Sequence, residues 1–585
     1  MTGSDGLAFS RLAAVFDELE RTSSRKQLTR ILADLLRQVD PAAIAEVTYL
    51  LQGRVAPFYE PVEFGLGERS IERVVSEVYG LDPAEVHKRY SQAGDLGLVV
   101  AELASDAVER ADPSVHEVFS QLRRIADISG PGSGERKLAV LEQLLRRLDT
   151  ISAKHLVRIP LGTSRLGVGD ATILAAFNEA RLSGTKADQA ILEDAYNRTS
   201  DLGLIAGTLW NAGLDAVRAL QVMVGRPIRP QLAERLPDVP SLLDKLGGRV
   251  HAQLKFDGVR VQIHLDRSRP DGEQVRLFSR SLESMTSMFP ELVDAVLKHV
   301  KAETAILDSE ALAFNPSSEE FLPFQETTRR RRKHRIGEFA AELPIKAMVF
   351  DCMYRDGRAV LDCALLERIE LLKATVSSND VLQVEPGVVL DDAQRLQEMF
   401  EAALERGLEG LVVKRVDSTY QAGARNFNWV KLKRHSRGAL EDTVDCVVLG
   451  YIYGRGRRTA LGVGALLVGV YDAEADVFKT VTKIGTGLSD EQWREAADRA
   501  APFRSEHKPA RVESTIVPSV WLEPKIVVEV LADEITKSPN HTAGYALRFP
   551  RLVRFRDADK RPEDATTLKE LIELYAAQPG RAVPG

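Results

Sequence analysis

This chain of 585 residues is poor in cysteine and aromatics and has no long apolar run. Its three cysteines, Cys352, Cys363 and Cys446, are scattered. They provide no disulfide framework and too few thiols for a four-cysteine zinc site, and they point to a reducing compartment. The longest apolar stretch, near residues 461–471, is short and interrupted by glycines, so no segment is expected to span a membrane. Residues 1–10 (MTGSDGLAFS) lack the basic start and apolar centre of a signal peptide. Positive charge is not in excess either, the net charge being −7. A phosphate-rich partner would have to meet local basic surfaces, which an acidic total does not exclude. Hydrophobic content of 44% and charged content of 28% are those of a soluble globular protein. The length exceeds what one core organises, so three or four domains are expected.

What is present concentrates around Lys255-Phe256-Asp257-Gly258-Val259-Arg260, a K-x-D-G-x-R hexamer within residues 250–265 (VHAQLKFDGVRVQIHL). Val259, Val261 and Ile263 alternate with Arg260, Gln262 and His264, which predicts a half-buried strand after the glycine. Gly258 allows a sharp turn and a close approach of backbone to ligand. A lysine amine beside such a turn, with an aspartate and an arginine next to it, suits nucleophilic attack on phosphorus. Taken alone, the hexamer also fits an ordinary surface turn in a hairpin.

Residues 1–220 read as helical. Leu28, Ile31, Leu32, Leu35 and Leu36 recur at helical spacing, as do Leu138, Leu141, Leu144, Leu145 and Leu148. The region echoes itself. Gly65-Leu66-Gly67-Glu68 returns as Gly167-Val168-Gly169-Asp170, 102 residues on, and Asp95-Leu96-Gly97-Leu98 as Asp201-Leu202-Gly203-Leu204, 106 on. A duplicated helical unit is expected. The turns before Glu68 and Asp170 would aim helix-start amides outward, where phosphate oxygens bind. Residues 224–238 (VGRPIRPQLAERLPD) are proline-rich and mark a domain entry. Residues 221–437 mix strands with helices such as 391–406. Beyond 437, short β-rich runs at 447–451, 465–471, 479–484 and 525–531 predict a small closed barrel.

Further groups follow the hexamer in order: Phe278-Ser279-Arg280, Leu307-Asp308-Ser309-Glu310, Val349-Phe350-Asp351, residues 409–414 (EGLVVK) and residues 429–433 (WVKLK). Their order and spacing resemble motifs I, Ia, III, IIIa, IV and V of the covalent nucleotidyltransferases. The flanks FSRSLESMTSMFPEL, FLPFQETTRRRRKHR and SPNHTAGYALRFPRLVRFRDADKRPEDATT narrow this. They resemble ATP-dependent DNA ligases of the archaeal and eukaryotic replicative type, across about residues 20–575. The small cysteine count speaks against the NAD-dependent type, which carries a four-cysteine zinc site.

The resemblance implies an all-α N-terminal DNA-binding domain (1–220), an α+β nucleotidyltransferase (adenylation) domain (221–437) and a C-terminal β-barrel OB-fold (438–575). It implies ATP as co-substrate, Mg²⁺ or Mn²⁺ as metal, and nicked double-stranded DNA as partner. The enzyme would be a monomer that wraps DNA, cytoplasmic and nucleoid-associated, acting in replication, repair and recombination. A sliding-clamp partner stays open, since no clamp-binding peptide stands out. An RNA ligase, a capping-type enzyme and a non-catalytic nick-binding scaffold are the alternatives.

By the same resemblance Lys255 is the catalytic nucleophile. Glu310 and Glu409 are the metal and ribose carboxylates, and oxygen ligands suit a hard divalent ion. Phe350 stacks on adenine. Arg260 and Arg280 contact ribose and phosphate. Arg425, Lys431 and Lys433 meet the α-phosphate, the two lysines sharing one strand face. Asp257 and Lys414 complete the first and fourth motifs. The basic cluster at 329–335 (RRRRKHR), with Arg455, Arg457 and Arg458, is expected to touch DNA phosphates. Two departures matter. Gln253 stands where the family has a glutamate for the adenine amine. An amide carries both donor and acceptor, so Gln253 is expected to rotate and accept either purine. The run 554–560 (RFRDADK) has one residue more than the family's R-x-R-x-D-K, and Arg556, Asp559 and Lys560 are the pyrophosphate-orienting choice.

Overall fold

A computed structural model of the chain describes residues 6–103, 111–236, 238–315, 320–321, 327, 344–406, 408–433, 443–453, 462–485 and 488–578. The basic cluster at 329–335 and Arg455, Arg457 and Arg458 lie outside these residues.

Among the described residues the first region holds twelve helices that fall into two runs of six, followed by a short helix, Leu214–Arg218. They are α1 (Phe9–Glu20), α2 (Arg25–Leu36), α3 (Ile44–Leu51), α4 (Glu68–Tyr79), α5 (Pro83–Ala93), α6 (Leu96–Leu103), α7 (Val115–Asp127), α8 (Ser133–Arg147), α9 (Thr150–Arg158), α10 (Asp170–Arg181), α11 (Lys186–Thr199) and α12 (Leu202–Ala212). The two runs correspond in order, and their packing is exchanged. Helix α6 packs on α9 and α12 on α3; α2 packs on α10 and α8 on α4; α1 packs on α9 and α7 on α3. Each unit therefore completes its partner's core, and one continuous cluster from Phe9 to Val217 results.

The exchanged crossings explain the D-L-G-L echo. Asp95 accepts from the Gly97 N–H at 2.7 Å and Asp201 from the Leu204 N–H at 2.9 Å, each capping its helix. The glycines are needed for closeness. A Cβ on Gly97 would lie 2.8 Å from the Lys154 carbonyl of α9, and one on Gly203 2.3 Å from the Tyr49 ring of α3. The aspartates then take partners across the same crossings: Asp95 pairs with Arg158, and Asp201 accepts from the Tyr49 hydroxyl at 2.8 Å.

The middle region is built on two sheets. Its strands are β1 (Leu232–Arg235), β2 (Val250–Lys255), β3 (Val259–Asp266), β4 (Val275–Ser279), β5 (Thr304–Asn315), β6 (Glu320–Phe321), β7 (Ile345–Arg355), β8 (Arg358–Ala359), β9 (Leu382–Val384), β10 (Val388–Leu390), β11 (Gly410–Arg415) and β12 (Arg425–Lys433). One sheet runs β1-β12-β11-β2-β10 and the other β4-β3-β5-β7-β8. β2 and β3 belong to different sheets, so the K-x-D-G turn is no hairpin. It crosses from one sheet to the other, and the cleft opens between them.

In the C-terminal region, strands Val444–Tyr453, Val463–Asp472 and Val477–Ile484 form an antiparallel meander. The helix Asp490–Ala500 then places Trp493 in a core shared with Val528 and Leu552. The first of these strands also pairs with Val527–Leu531, which pairs with Arg551–Phe555. The sheet curls so that the end of Arg551–Phe555 and the turn after it face the cleft of the middle region. The three regions meet at Asp170. Its carboxylate accepts from Tyr196 at 2.5 Å and Gln52 at 3.1 Å, with Arg229 at 3.8 Å and Arg561 at 3.4 Å. No helix among the described residues is long and apolar enough to cross a membrane.

Candidate active site

The floor of the cleft is three rungs across β2, β11 and β12. Strand register pairs Lys255 with Gly410 and Gly410 with Lys433. It pairs Gln253 with Val412 and Val412 with Lys431, then His251 with Lys414 and Lys414 with Trp429. Period-two alternation puts these side chains on one face. Gly410 adopts φ +137, and a Cβ there would fall 2.1 Å from the Leu432 carbonyl, so the residue after Glu409 must be glycine.

At the first rung the Lys255 ammonium pairs with the Glu409 carboxylate, and Lys433 reaches the same carboxylate at 3.1 Å. Burial alone would raise the Glu409 carboxyl, but Lys255 and Lys433 outweigh it and hold it well below the usual carboxylate range. Gly258 has another use than a left-handed turn. A Cβ there would meet the Ala311 carbonyl at 2.5 Å, so its lack of a side chain lets the crossing press onto β5. Its N–H donates to Glu310 Oε1 at 3.1 Å. Burial pushes the Glu310 carboxyl up to about 7 against the pull of Lys255 and Arg260. Asp257 is likewise raised by burial and by its neighbour Glu409. The three carboxylates line one cleft without converging as a ready-made ligand group, and carboxylate oxygens are the ligands a hard divalent cation takes.

The roof comes from the second sheet. Ser309 pairs with Val349 and Asp308 with Asp351, leaving Phe350 as the extra residue of a bulge. The bulge turns the Phe350 ring to the cleft instead of the core. Arg260 is clamped by Asp308, at 3.0 and 2.6 Å, and by the Gln231 carbonyl at 2.8 Å. Its guanidinium carbon stands 5.6 Å from the Phe350 ring centre and 5.7 Å from that of Trp429.

Gln253 stands in one orientation. Its NH₂ donates to the Glu385 carbonyl at 2.7 Å and the Phe350 carbonyl at 3.2 Å. Two carbonyl acceptors fix the amide one way round and commit the donor end, leaving the side-chain oxygen as the end that can accept.

The C-terminal region closes the cleft, whose volume is about 500 Å³. Arg556 pairs with Asp559 at 2.6 Å and approaches Asp445 at 3.5 Å; Lys560 pairs with Asp445. Arg425 pairs with Glu570 of the last helix, Leu568–Ala576. The residues selected from the sequence for nucleotide chemistry line this one cleft: Lys255, Gln253, Asp257, Arg260, Arg280, Glu310, Phe350, Glu409, Lys414, Arg425, Lys431, Lys433, Arg556, Asp559 and Lys560. Sequence reasoning missed Trp429, Arg554, Asp445, Glu529 and Glu570, which also line it. Trp429 and Arg554 lay inside runs already singled out; the others announce themselves only through contacts with residues far away in the chain.

Three family models match the chain: DNA ligase N terminus over residues 8–178, ATP dependent DNA ligase domain over 230–433, and ATP dependent DNA ligase C terminal region over 459–560. A probable DNA ligase of Dictyoglomus turgidum is 43% identical over 579 residues, covering 98% of each chain. The DNA ligase of Sulfolobus acidocaldarius is 39% identical over 597 residues, again covering 98% of each. Among solved structures, a mycobacterial DNA ligase D complexed with ATP and MES aligns at 25% identity over 58% of this chain and 97% of its own, with a TM-score of 0.34. A half-buried lysine–glutamate pair at a sheet-to-sheet crossing, under an aromatic roof and beside further cations, sits in a chain alike from end to end to the Dictyoglomus and Sulfolobus ligases, and the chain belongs to the ATP-dependent DNA ligase family.

Proposed function

We propose that this ligase joins nicks in duplex DNA through three phosphoryl transfers that share one site, with Lys255 as the covalent carrier. Lys255 Nζ attacks the α-phosphorus of ATP. An N–P bond forms, the bond to pyrophosphate breaks, and the amine gives up its proton. The AMP then passes to the 5′-phosphate of the nick as the N–P bond breaks. The 3′-hydroxyl attacks that activated phosphate, a phosphodiester forms and AMP leaves. Each step gathers negative charge on phosphoryl oxygens, so the site needs fixed cations more than acids and bases.

The observation that carries this reading is the pairing of Lys255 and Lys433 on Glu409 at the mouth of the three-rung floor. Glu409 holds the nucleophile in place before substrate arrives. Lys431, Lys433 and Arg425 receive the α-phosphate, and Arg556 and Lys560 reach the leaving pyrophosphate from the C-terminal side. Phe350 and Val412 sandwich the base, with Gln253 accepting from the adenine amine. Mg²⁺ or Mn²⁺ would be held by Glu310 and Glu409 and would neutralise charge on the phosphate oxygens.

The helical region, 1–220, grips the duplex; 221–437 carries the adenylylation chemistry; 438–575 closes over it. The protein works as a monomer in the cytoplasm, at the nucleoid. Incubation with α-labelled ATP and Mg²⁺, followed by denaturing electrophoresis, tests the reading. A labelled protein band that is discharged by nicked DNA and not by nicked RNA is expected. A chain that stays unlabelled would leave only a nick-binding scaffold.

A further inference from the structure

Lys414 is buried, and its ammonium is closed off from water with no hydrogen-bond partner. It lies 3.8 Å from the centre of the Trp429 ring and 5.0 Å from that of Phe350. The nearest carboxylate oxygen, on Asp351, is 4.0 Å away. Asp351 is already gripped by Arg368, at 2.9 and 3.2 Å, and Asp308 by Arg260. The charged and titratable groups facing Lys414 are therefore Asp351 of β7, Asp308 of β5, Glu385 just after β9, Arg260 of β3, Arg368 of the helix Leu365–Thr375 and His251 of β2. His251, pulled down to about 4 by burial with Lys414 adding to it, is neutral at physiological pH.

Such a charge is costly to bury. If the residue served only to fill space, a methionine of similar length would do so without that cost. What the ammonium adds is attraction to the two ring faces beside it. We propose that Lys414 is a positioning residue for nucleotide capture, its ammonium holding Trp429, and the Phe350 ring that meets Trp429 edge-on, in the arrangement in which Phe350 stacks on the nucleobase. The inference rests on the reading of this cleft as the ATP site. It assigns Lys414 to substrate affinity and leaves the phosphoryl transfer to the first rung.

Titration supplies an independent handle. Burial pulls the Lys414 ammonium down to about 8 from its ordinary 10.5, with Asp351 opposing. The ring-holding charge is present below that pH and fades above it. Stability moves the other way, because losing an unfavourably buried proton favours the folded state between about 8 and 10.5. A merely structural role would tie affinity and stability together; a positioning role separates them.

The test is the KM for ATP and the kcat of enzyme–AMP formation by the full chain, with thermal stability, from pH 7 to 9.5. In the wild type, KM should climb above pH 8 while the melting temperature holds or rises. Lys414→Met should raise KM about tenfold at pH 7, the range of a desolvated cation–π contact, with kcat at saturating ATP little changed and the alkaline rise in KM gone. Lys414→Arg, charged throughout, should also lose the alkaline rise. A flat wild-type KM, or a Lys414→Met protein with the wild-type KM, overturns the inference alone. A KM and kcat that worsen together with a fall in stability overturn it in favour of a structural role. A wild type that forms no adduct overturns the ATP-site reading itself.

Discussion

Lys433 and Lys255 share one carboxylate: Glu409 pairs with the nucleophile and lies 3.1 Å from Lys433 Nζ. The pair arises because Gly410 faces Lys255 on one side and Lys433 on the other, so Glu409, one residue earlier, meets both ammonium groups. A cation fixed this close to the nucleophile stabilises charge as it develops on the α-phosphate. Lys433→Met should therefore lower the rate of enzyme–AMP formation roughly 100-fold or more, the scale for removing one preorganised electrostatic contact. Single-turnover labelling with α-labelled ATP measures it, and a loss confined to KM would contradict the assignment.

Gln253 gives a prediction opposite to the one its composition suggests. Its amide donates to the carbonyls of Phe350 and Glu385. Gln253→Glu would set a carboxylate against those two oxygens. Enzyme–AMP formation should fall at least about tenfold, the cost of one unpaired buried charge–dipole contact. The wild type should keep a clear preference for ATP over GTP, since only the acceptor end of Gln253 is available. Rates with each nucleotide decide the matter; equal use of GTP by the wild type would show that the amide turns over.

Side chains of the N-terminal and C-terminal regions meet directly. Thr172 donates to Asp476 at 2.8 Å, and Arg561 meets Asp170 at 3.4 Å. On the reading that the helical region grips the duplex, DNA entry parts these contacts. Asp170→Asn keeps the shape and removes the charge, weakening closure by on the order of 1 kcal/mol, about fivefold in open population. Small-angle scattering should show a larger radius of gyration, and nick association should speed up. An unchanged radius and rate would mean that Asp170 does not control opening.

The helical region has its own core from Phe9 to Val217. Removing residues 1–215 should therefore leave enzyme–AMP formation largely intact and cripple nick joining. The full chain should show a much steeper salt dependence of nick binding than the truncation, because every phosphate that the helical region neutralises releases a counterion. Equal slopes would refute that division of labour.

The parts of this site legible in the sequence are those set by local rules. K-x-D-G-x-R, G-L-V-V-K and W-V-K-L-K carry their own strand period, so Lys431 and Lys433 could be put on one strand face in advance, while the rungs that join the three strands could not. The D-L-G-L echo exposed the duplication through glycines that only a tight helix crossing requires. What stayed hidden depends on distant partners. The exchange of packing between the two helical units leaves no trace in either unit. The bulge at Phe350 exists only against Ser309 and Asp308. The locked amide of Gln253 depends on carbonyls 97 and 132 residues away. Lys414 reads as a motif residue without a task until Trp429 and Phe350 are placed beside its ammonium.

That Lys255 carries the AMP is tested most directly by Lys255→Ala. The variant, given α-labelled ATP and Mg²⁺, should show no labelled band after denaturing electrophoresis, while its melting curve stays that of a folded protein. Supplied with nicked DNA already adenylylated at its 5′ end, it should still join the strands weakly, because that step needs the cations and the metal site but not the amine. A labelled adduct that survives in Lys255→Ala would contradict the assignment of Lys255 as the carrier.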